Sequence, residues 1–188
     1  MTLGDLLAEQ AKLRPDAVAL IDARGGAVRR LTFAELEVEV TRAAAWLGGL
    51  GLKKGSAVLV FVPMSADLYV ALLALFRLGG VALFLDPSAG RDHIEHCCRR
   101  WPPDALLETP KAHLLRLRSS ALRRISRKLV IGGWCPFAIR WLRSGEPSRA
   151  ETEAAVAGGD PALVTFTSGS TGVPKAAVRS HDFLLAQH

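Results

Sequence analysis

Residues Ala57-Val-Leu-Val-Phe-Val62 form an unbroken apolar run. A strand that faces water on one side alternates apolar with polar residues, so a run without alternation reads as a strand covered on both faces, the habit of parallel sheets. The flanking periodicity agrees. Phe33, Leu36, Val40, Ala44 and Leu47 recur at helical spacing, Thr32 and Glu35 form a capping box before them, and Gly48-Gly49 stops the helix after them. Beyond residue 62 the alternation continues with a helix over 66–78, a strand over 81–85 and a helix over 91–100. A strand over 105–107, a helix over 111–126 and a strand over 129–131 follow. Strand and helix in turn imply an α/β fold built on a doubly wound, mainly parallel sheet with right-handed connections. Such sheets bind ligands beyond the carboxyl ends of their strands.

Ahead of this pattern, apolar residues Leu3, Leu6, Leu7 and Leu13 predict a short helix over 3–13, ended by Arg14-Pro15. Strands over 17–21 and 28–31, joined by a turn over 22–26, complete a hairpin. Residues 132–160 are punctuated by glycine and proline and read as a connection with a short helix over 151–157. With 188 residues, 49% hydrophobic and 22% charged, the chain has the composition of one soluble domain or a large piece of one.

The longest apolar stretch, residues 68–85, holds Arg77 and the Gly79-Gly80 pair. An arginine near its centre argues against a membrane span, and helix, turn and buried strand account for it. Three cysteines, Cys97, Cys98 and Cys135, in a chain without a recognisable leader point to a reducing, cytoplasmic setting. His93 and Cys97 share a helical face beside His96 and Cys98, yet a structural zinc site needs four convergent ligands, so no metal site is assigned.

Charge is uneven. The net charge is +6, but residues 109–145 hold nine Lys and Arg residues with no Asp or Glu, so the remainder is net negative. Leu114, Leu115, Leu117, Leu122 and Ile125 within that stretch predict an amphipathic helix with its leucines buried and its basic face in water. No nucleic-acid reading motif accompanies the charge, so no nucleic acid partner is expected. Contact with an anion, a lipid surface or a partner through residues 109–145 is the alternative reading.

The chemistry concentrates near the end. A strand over 162–166 empties into Thr167-Ser-Gly-Ser-Thr-Gly-Val-Pro-Lys175. Gly169 and Gly172 permit close backbone approach and expose N–H groups to an anion, Thr167, Ser168, Ser170 and Thr171 add hydroxyl donors, and Lys175 supplies positive charge. The spacing differs from the G-x-x-x-x-G-K-[ST] loop, and Pro174 disfavours a helix starting at the lysine. A G-x-S-x-G elbow is missing too, which removes nucleophilic serine chemistry. A flexible linker is excluded by the buried-type strand before the loop and the apolar Ala176-Ala-Val178 after it. His181, near a strand end, reads as structural.

Residues 167–175 resemble the signature of the adenylate-forming (AMP-binding) superfamily, which includes acyl-CoA synthetases, peptide-synthetase adenylation domains and firefly luciferase. Leu31-Thr-Phe-Ala-Glu-Leu36, Gly51-Leu-Lys-Lys-Gly55, the strand at 58–63, residues 71–80 and Leu85-Asp-Pro87 follow in that family's order. Pro110-Lys-Ala-His-Leu-Leu115 looks like the long-chain acyl branch that includes β-lactone synthetases of olefin biosynthesis. Ala176 stands where the family usually has glycine.

The resemblance implies that residues 1–188 are an N-terminal part of the large AMP-binding domain, without the rest of that domain or the C-terminal lid. It implies a ligase that joins a carboxylic acid to the AMP of ATP, releases pyrophosphate, and usually passes the acyl group to a thiol of CoA or of carrier-protein pantetheine. Thr167, Ser168, Gly169, Ser170, Thr171, Gly172 and Lys175 would bind the phosphates. No residue of this stretch is an acid or base, so no catalytic residue is assigned, and the family's Mg2+ ligands are expected outside the chain. A fragment of this kind is expected to be inactive alone, and its sheet to leave an apolar face exposed.

Overall fold

The structure, a computed structural model, describes residues 1–23, 28–86, 88, 90–141, 155–167 and 174–187. Helix α1 (Leu3–Leu13) leads into a hairpin of β1 (Val18–Asp22) and β2 (Arg29–Thr32), and α2 (Phe33–Gly49) follows directly. Both helices begin with full capping boxes, Thr2 with Asp5 and Thr32 with Glu35. Then come β3 (Ala57–Phe61), α3 (Ala66–Arg77), β4 (Val81–Phe84), α4 (Arg91–Arg100) and β5 (Ala105–Glu108). A 3-10 helix (Ala112–Leu117), α5 (Ser120–Arg124), β6 (Arg127–Val130) and β7 (Ile139–Arg140) complete that half. The chain ends in β8 (Pro161–Thr167), β9 (Lys175–Ser180) and α6 (His181–Ala186).

Among the described residues the main sheet has seven strands in the order β7-β6-β5-β3-β4-β8-β9, parallel except for β9. All five residues of β3 are buried, as the unbroken apolar run requires. Its side chains alternate between two cores. Val58 and Val60 face Leu36, Val40, Leu68 and Leu75 of α2 and α3, whereas Ala57, Leu59 and Phe61 face Ile94, Cys97 and Leu122 of α4 and α5. The sheet is doubly wound: the connection from β3 leads to β4 on one side, and the chain then crosses back to β5 on the other.

Arg77, anomalous inside an apolar stretch, ends α3 and turns back to α2. Its guanidinium donates to Glu37 Oε1 at 2.8 Å and Oε2 at 2.7 Å, and to Thr41 Oγ1 at 2.6 Å. Among the described residues no helix is long and apolar enough to cross a membrane.

Two expectations are corrected. The helix predicted over 111–126 is a 3-10 helix followed by a separate short α-helix. Ser119 and Ser120 break it, because Glu95 on α4 accepts from Ser119 Oγ at 2.9 Å, from Ser120 Oγ at 3.1 Å and from the Ala121 N–H at 3.0 Å. The helix expected over 151–157 lies partly outside the described residues, and its described part, 155–157, is not helical. The two-residue strand β7 and helix α6 are additions that short, weakly patterned segments did not announce.

The turn between α3 and β4 explains the Gly79-Gly80 pair. Gly79 N–H donates to Phe76 O at 3.0 Å and Gly80 N–H to Leu75 O at 2.9 Å, with Gly79 at φ +70, the pattern that closes a helix through a left-handed residue. Gly79→Ala must place a Cβ in that conformation, about 3 Å from Lys54 Cγ. We expect it to lower stability by about 1–2 kcal/mol in urea unfolding, with an unchanged m-value.

Candidate phosphate-binding hairpin

β8 joins the sheet through β4, in the register Ala82 to Leu163, Leu83 to Val164 and Phe84 to Thr165. β9 then returns antiparallel along its outer side, from Thr167 opposite Lys175 to Pro161 opposite Ser180. The sequence that resembles a phosphate-binding loop is therefore the connection of a β-hairpin, opening at the carboxyl end of a parallel strand. Ala162 and Val164 point into the two opposite cores and are fully buried. Ser168, Gly169, Ser170, Thr171 and Gly172 lie outside the described residues; Thr167 and Lys175 frame them as the last pair of the ladder. Lys175 is exposed, with no ion-pair partner among the described residues.

The far end of the hairpin is anchored several times over. Lys54 Nζ sits 2.7 Å from Asp160 Oδ2, and the same ammonium donates to Ala155 O at 2.8 Å. Asp160 Oδ2 also accepts from the Ala157 N–H at 2.7 Å, and its carboxyl is held below the usual carboxylate range chiefly by the Lys54 hydrogen bond. Asp160 O accepts from the His181 N–H, and Ser180 caps α6.

His181 is structural in place. It is fully buried, stacks edge-on to Phe76 with 5.7 Å between ring centres, and accepts from the Leu3 N–H at Nδ1. That bond leaves the proton of the neutral ring on Nε2, which is buried without a hydrogen-bond partner. Burial pushes its pKa below the ordinary imidazole value, against the opposing pull of Asp160, Asp182 and Asp5.

A second feature at the carboxyl edge had no counterpart in the sequence reading. A cavity of about 400 Å³ lies where the connections from β3 and β5 diverge, lined by Pro63, Ser65, Thr109, Lys111, Ile131 and Gly132. The strand order and its switch between β3 and β5 place it, and neither can be read from local patterns. Beside it, Glu108 at the end of β5 is fully buried and bonded to His113 Nδ1, while His113 Nε2 lies 3.2 Å from Pro136 O. Burial raises the Glu108 pKa, opposed by the His113 hydrogen bond. The two contacts of the His113 ring tie the end of β5 and the start of the 3-10 helix to the loop before β7.

The other sequence candidates stay apart. Cys97 and Cys98 are buried thiols pushed by desolvation to about 11 and about 12, and so remain protonated. Among the described residues no three His, Cys, Asp or Glu side chains gather around a point that a metal ion would fill. A larger cavity, about 470 Å³, lies between α4 and α5 beside Pro102 and Pro103, which lead into the amino end of β5. It sits at the opposite edge of the sheet from the hairpin loop, so its size does not make it the phosphate site.

The profile of the AMP-binding enzyme family matches residues 7–188. The chain is 32% identical to an olefin β-lactone synthetase of Stenotrophomonas maltophilia, over 96% of this chain and 35% of that protein. It is equally, 32%, identical to a fatty acid–[acyl-carrier-protein] ligase of Mycobacterium marinum, over 94% of this chain and 33% of that protein. Among solved structures, the apo structure of Mycobacterium smegmatis MbtA superposes with a TM-score of 0.79 at 31% identity, covering 96% of this chain and 34% of that one. The chain thus spans about a third of the length of these relatives. Equal identity to relatives named for different products supports the family rather than one branch.

The buried His181 has a consequence in pH. Its folded pKa lies below the unfolded value of about 6.5, so as pH falls through that value the unfolded chain binds a proton that the folded chain refuses. Stability therefore falls with decreasing pH, by at most about 1.4 kcal/mol per pH unit from this group. Thermal melts between pH 7.5 and 5.5 should show a shallower slope for His181→Gln than for the parent chain; equal slopes contradict the assignment.

Proposed function

This chain belongs to the AMP-binding enzyme family, and we propose that it is the N-terminal part of an ATP-dependent acyl-activating ligase, with residues 167–175 as its phosphate-binding loop. In that reaction a carboxylate attacks the α-phosphorus of ATP, an acyl-adenylate forms and pyrophosphate leaves. The thiol of CoA or of carrier-protein pantetheine, losing its proton, then takes the acyl group, and AMP leaves. The relatives named as fatty acid–[acyl-carrier-protein] ligases support a fatty carboxylic acid as the substrate class.

One observation carries the reading: a Ser/Thr/Gly connection, closed by Thr167 and Lys175, at the carboxyl end of a parallel strand. The backbone N–H groups and hydroxyls of Thr167, Ser168, Gly169, Ser170, Thr171 and Gly172 cradle the β- and γ-phosphates, and the Lys175 ammonium offsets their charge. None of these groups moves a proton. Their work is electrostatic, since pyrophosphate departs with concentrated negative charge and donors already in place stabilise that charge without reorganising. Ala176 after the lysine fits this arrangement, because it is a strand residue paired with Phe166. The described residues gather no ligand set for Mg2+, so no step is drawn through that ion. The partner groups that bind adenine and the acyl chain belong, in this reading, to the rest of a longer protein working in the cytoplasm.

Inorganic pyrophosphate tests the loop without requiring turnover. At a hundredfold excess over its dissociation constant it stabilises the folded chain by about 2.7 kcal/mol, roughly 5–10 °C in melting temperature. Lys175→Ala should remove most of that shift while leaving the ligand-free melting temperature within about 2 °C, because Lys175 is exposed. A folded chain that neither pyrophosphate nor MgATP stabilises contradicts the proposal.

A further inference from the structure

The sequence predicts that the leucines of the basic stretch are buried; the 3-10 helix turns two of them outward. With three residues per turn, side chains at i and i+3 align, so residues 111–117 present three ridges. Ala112 and Leu115 pack on the core under α4 and α5. His113, bonded to Glu108, and Arg116, whose Nε is buried, form the second ridge. Lys111, Leu114 and Leu117 form the third, in solvent, with Leu114 63% and Leu117 73% exposed.

The loop before β7 lies alongside. His113 Nε2 is 3.2 Å from Pro136 O, Cys135 Sγ is 3.9 Å from Pro110 O, and a Cβ on Gly133 would come within 2.6 Å of Pro110 Cγ. From this loop Trp134 projects 73% exposed and Phe137 92% exposed. Phe137 adopts φ +63, a left-handed conformation uncommon for an aromatic residue. Lys111, Arg118 and Arg140 are exposed on the same two segments, and residues 109–145 contain no acidic residue to offset them.

The charge calls for an anionic partner. The apolar side chains stand on two protrusions, a helical ridge and a loop tip, and none of the four lines either cavity described above. A protein partner would have to be shaped to both protrusions, whereas a bilayer interface accepts them without shape complementarity: aromatic and aliphatic groups enter the headgroup boundary while Lys and Arg meet lipid phosphates. The geometry points to a peripheral docking surface for an anionic lipid bilayer, formed by Leu114, Leu117, Trp134 and Phe137 together with the exposed cations Lys111, Arg118 and Arg140. This inference is independent of the nucleotide reading and stands or falls separately from it.

Vesicle flotation of the 188-residue chain tests it, using phosphatidylcholine vesicles with and without about one third phosphatidylglycerol. The chain should float with the anionic vesicles at least about tenfold more than with neutral ones, and added salt should weaken the binding. Of the four tryptophans only Trp134 is exposed, so binding should shift the emission to the blue, and Trp134→Phe should keep binding but lose the shift. Leu114→Ser with Leu117→Ser, and separately Phe137→Ser, should each cut the bound fraction about fivefold with an unchanged far-UV circular dichroism spectrum. No flotation with anionic vesicles overturns the proposal. So does flotation that the apolar variants leave unchanged, which means charge alone is read, and so does capture by an acidic protein without vesicle binding.

Discussion

Three parallel residue pairs, Ala82 with Leu163, Leu83 with Val164 and Phe84 with Thr165, attach the end of the chain to the middle of the sheet. Without them the hairpin of β8 and β9 would lose its strand pairing with the rest of the sheet, because among the described residues β9 pairs with β8 alone. Closing so long a connection costs conformational entropy. Complete burial of Ala162 on one face and Val164 on the other, together with the ion pair of Lys54 and Asp160, offsets it. The pairing also sets direction: β8 runs parallel to β4, so its loop emerges at the same edge as the connections leaving β3, β4 and β5.

That edge is where a doubly wound sheet concentrates its chemistry. The hairpin loop occupies one flank, and the cavity at the divergence of β3 and β5 lies nearer the centre. Beside the cavity, the contacts of the His113 ring with Glu108 and Pro136 O join β5, the 3-10 helix and the loop before β7. The hairpin is rigid at its base and polar at its tip, a division of labour that suits anion binding. Stabilising a leaving pyrophosphate requires donors fixed by a scaffold rather than acids or bases. The family profile runs through this hairpin, as it does through the rest of residues 7–188.

Features governed by neighbouring residues were legible in the sequence. The capping box of Thr32 and Glu35, the glycine stop after α3 and the two-faced burial of β3 each follow from a few adjacent positions. Features governed by distant partners were not. Glu95 breaks the predicted helix at Ser119 from across the α4–α5 interface, and Glu108 finds His113 only once the 3-10 helix has formed. Strand order, and with it the central cavity, depends on crossover connections that no local pattern reports. Residues 167–175 were legible as a motif, and their setting in a hairpin was visible only as an apolar strand on each side.

On the proposed function, phosphate is held at the carboxyl edge of the sheet by the loop of this hairpin. Backbone amide chemical shifts, followed by NMR during titration with inorganic pyrophosphate, test it most directly. The account predicts that the largest changes fall on Gly169, Thr171, Gly172 and Lys175, with the amides of Arg99, Ser120 and Ala121 around the α4–α5 cavity unmoved. Largest changes at that cavity, or along the basic residues 109–145, would contradict it.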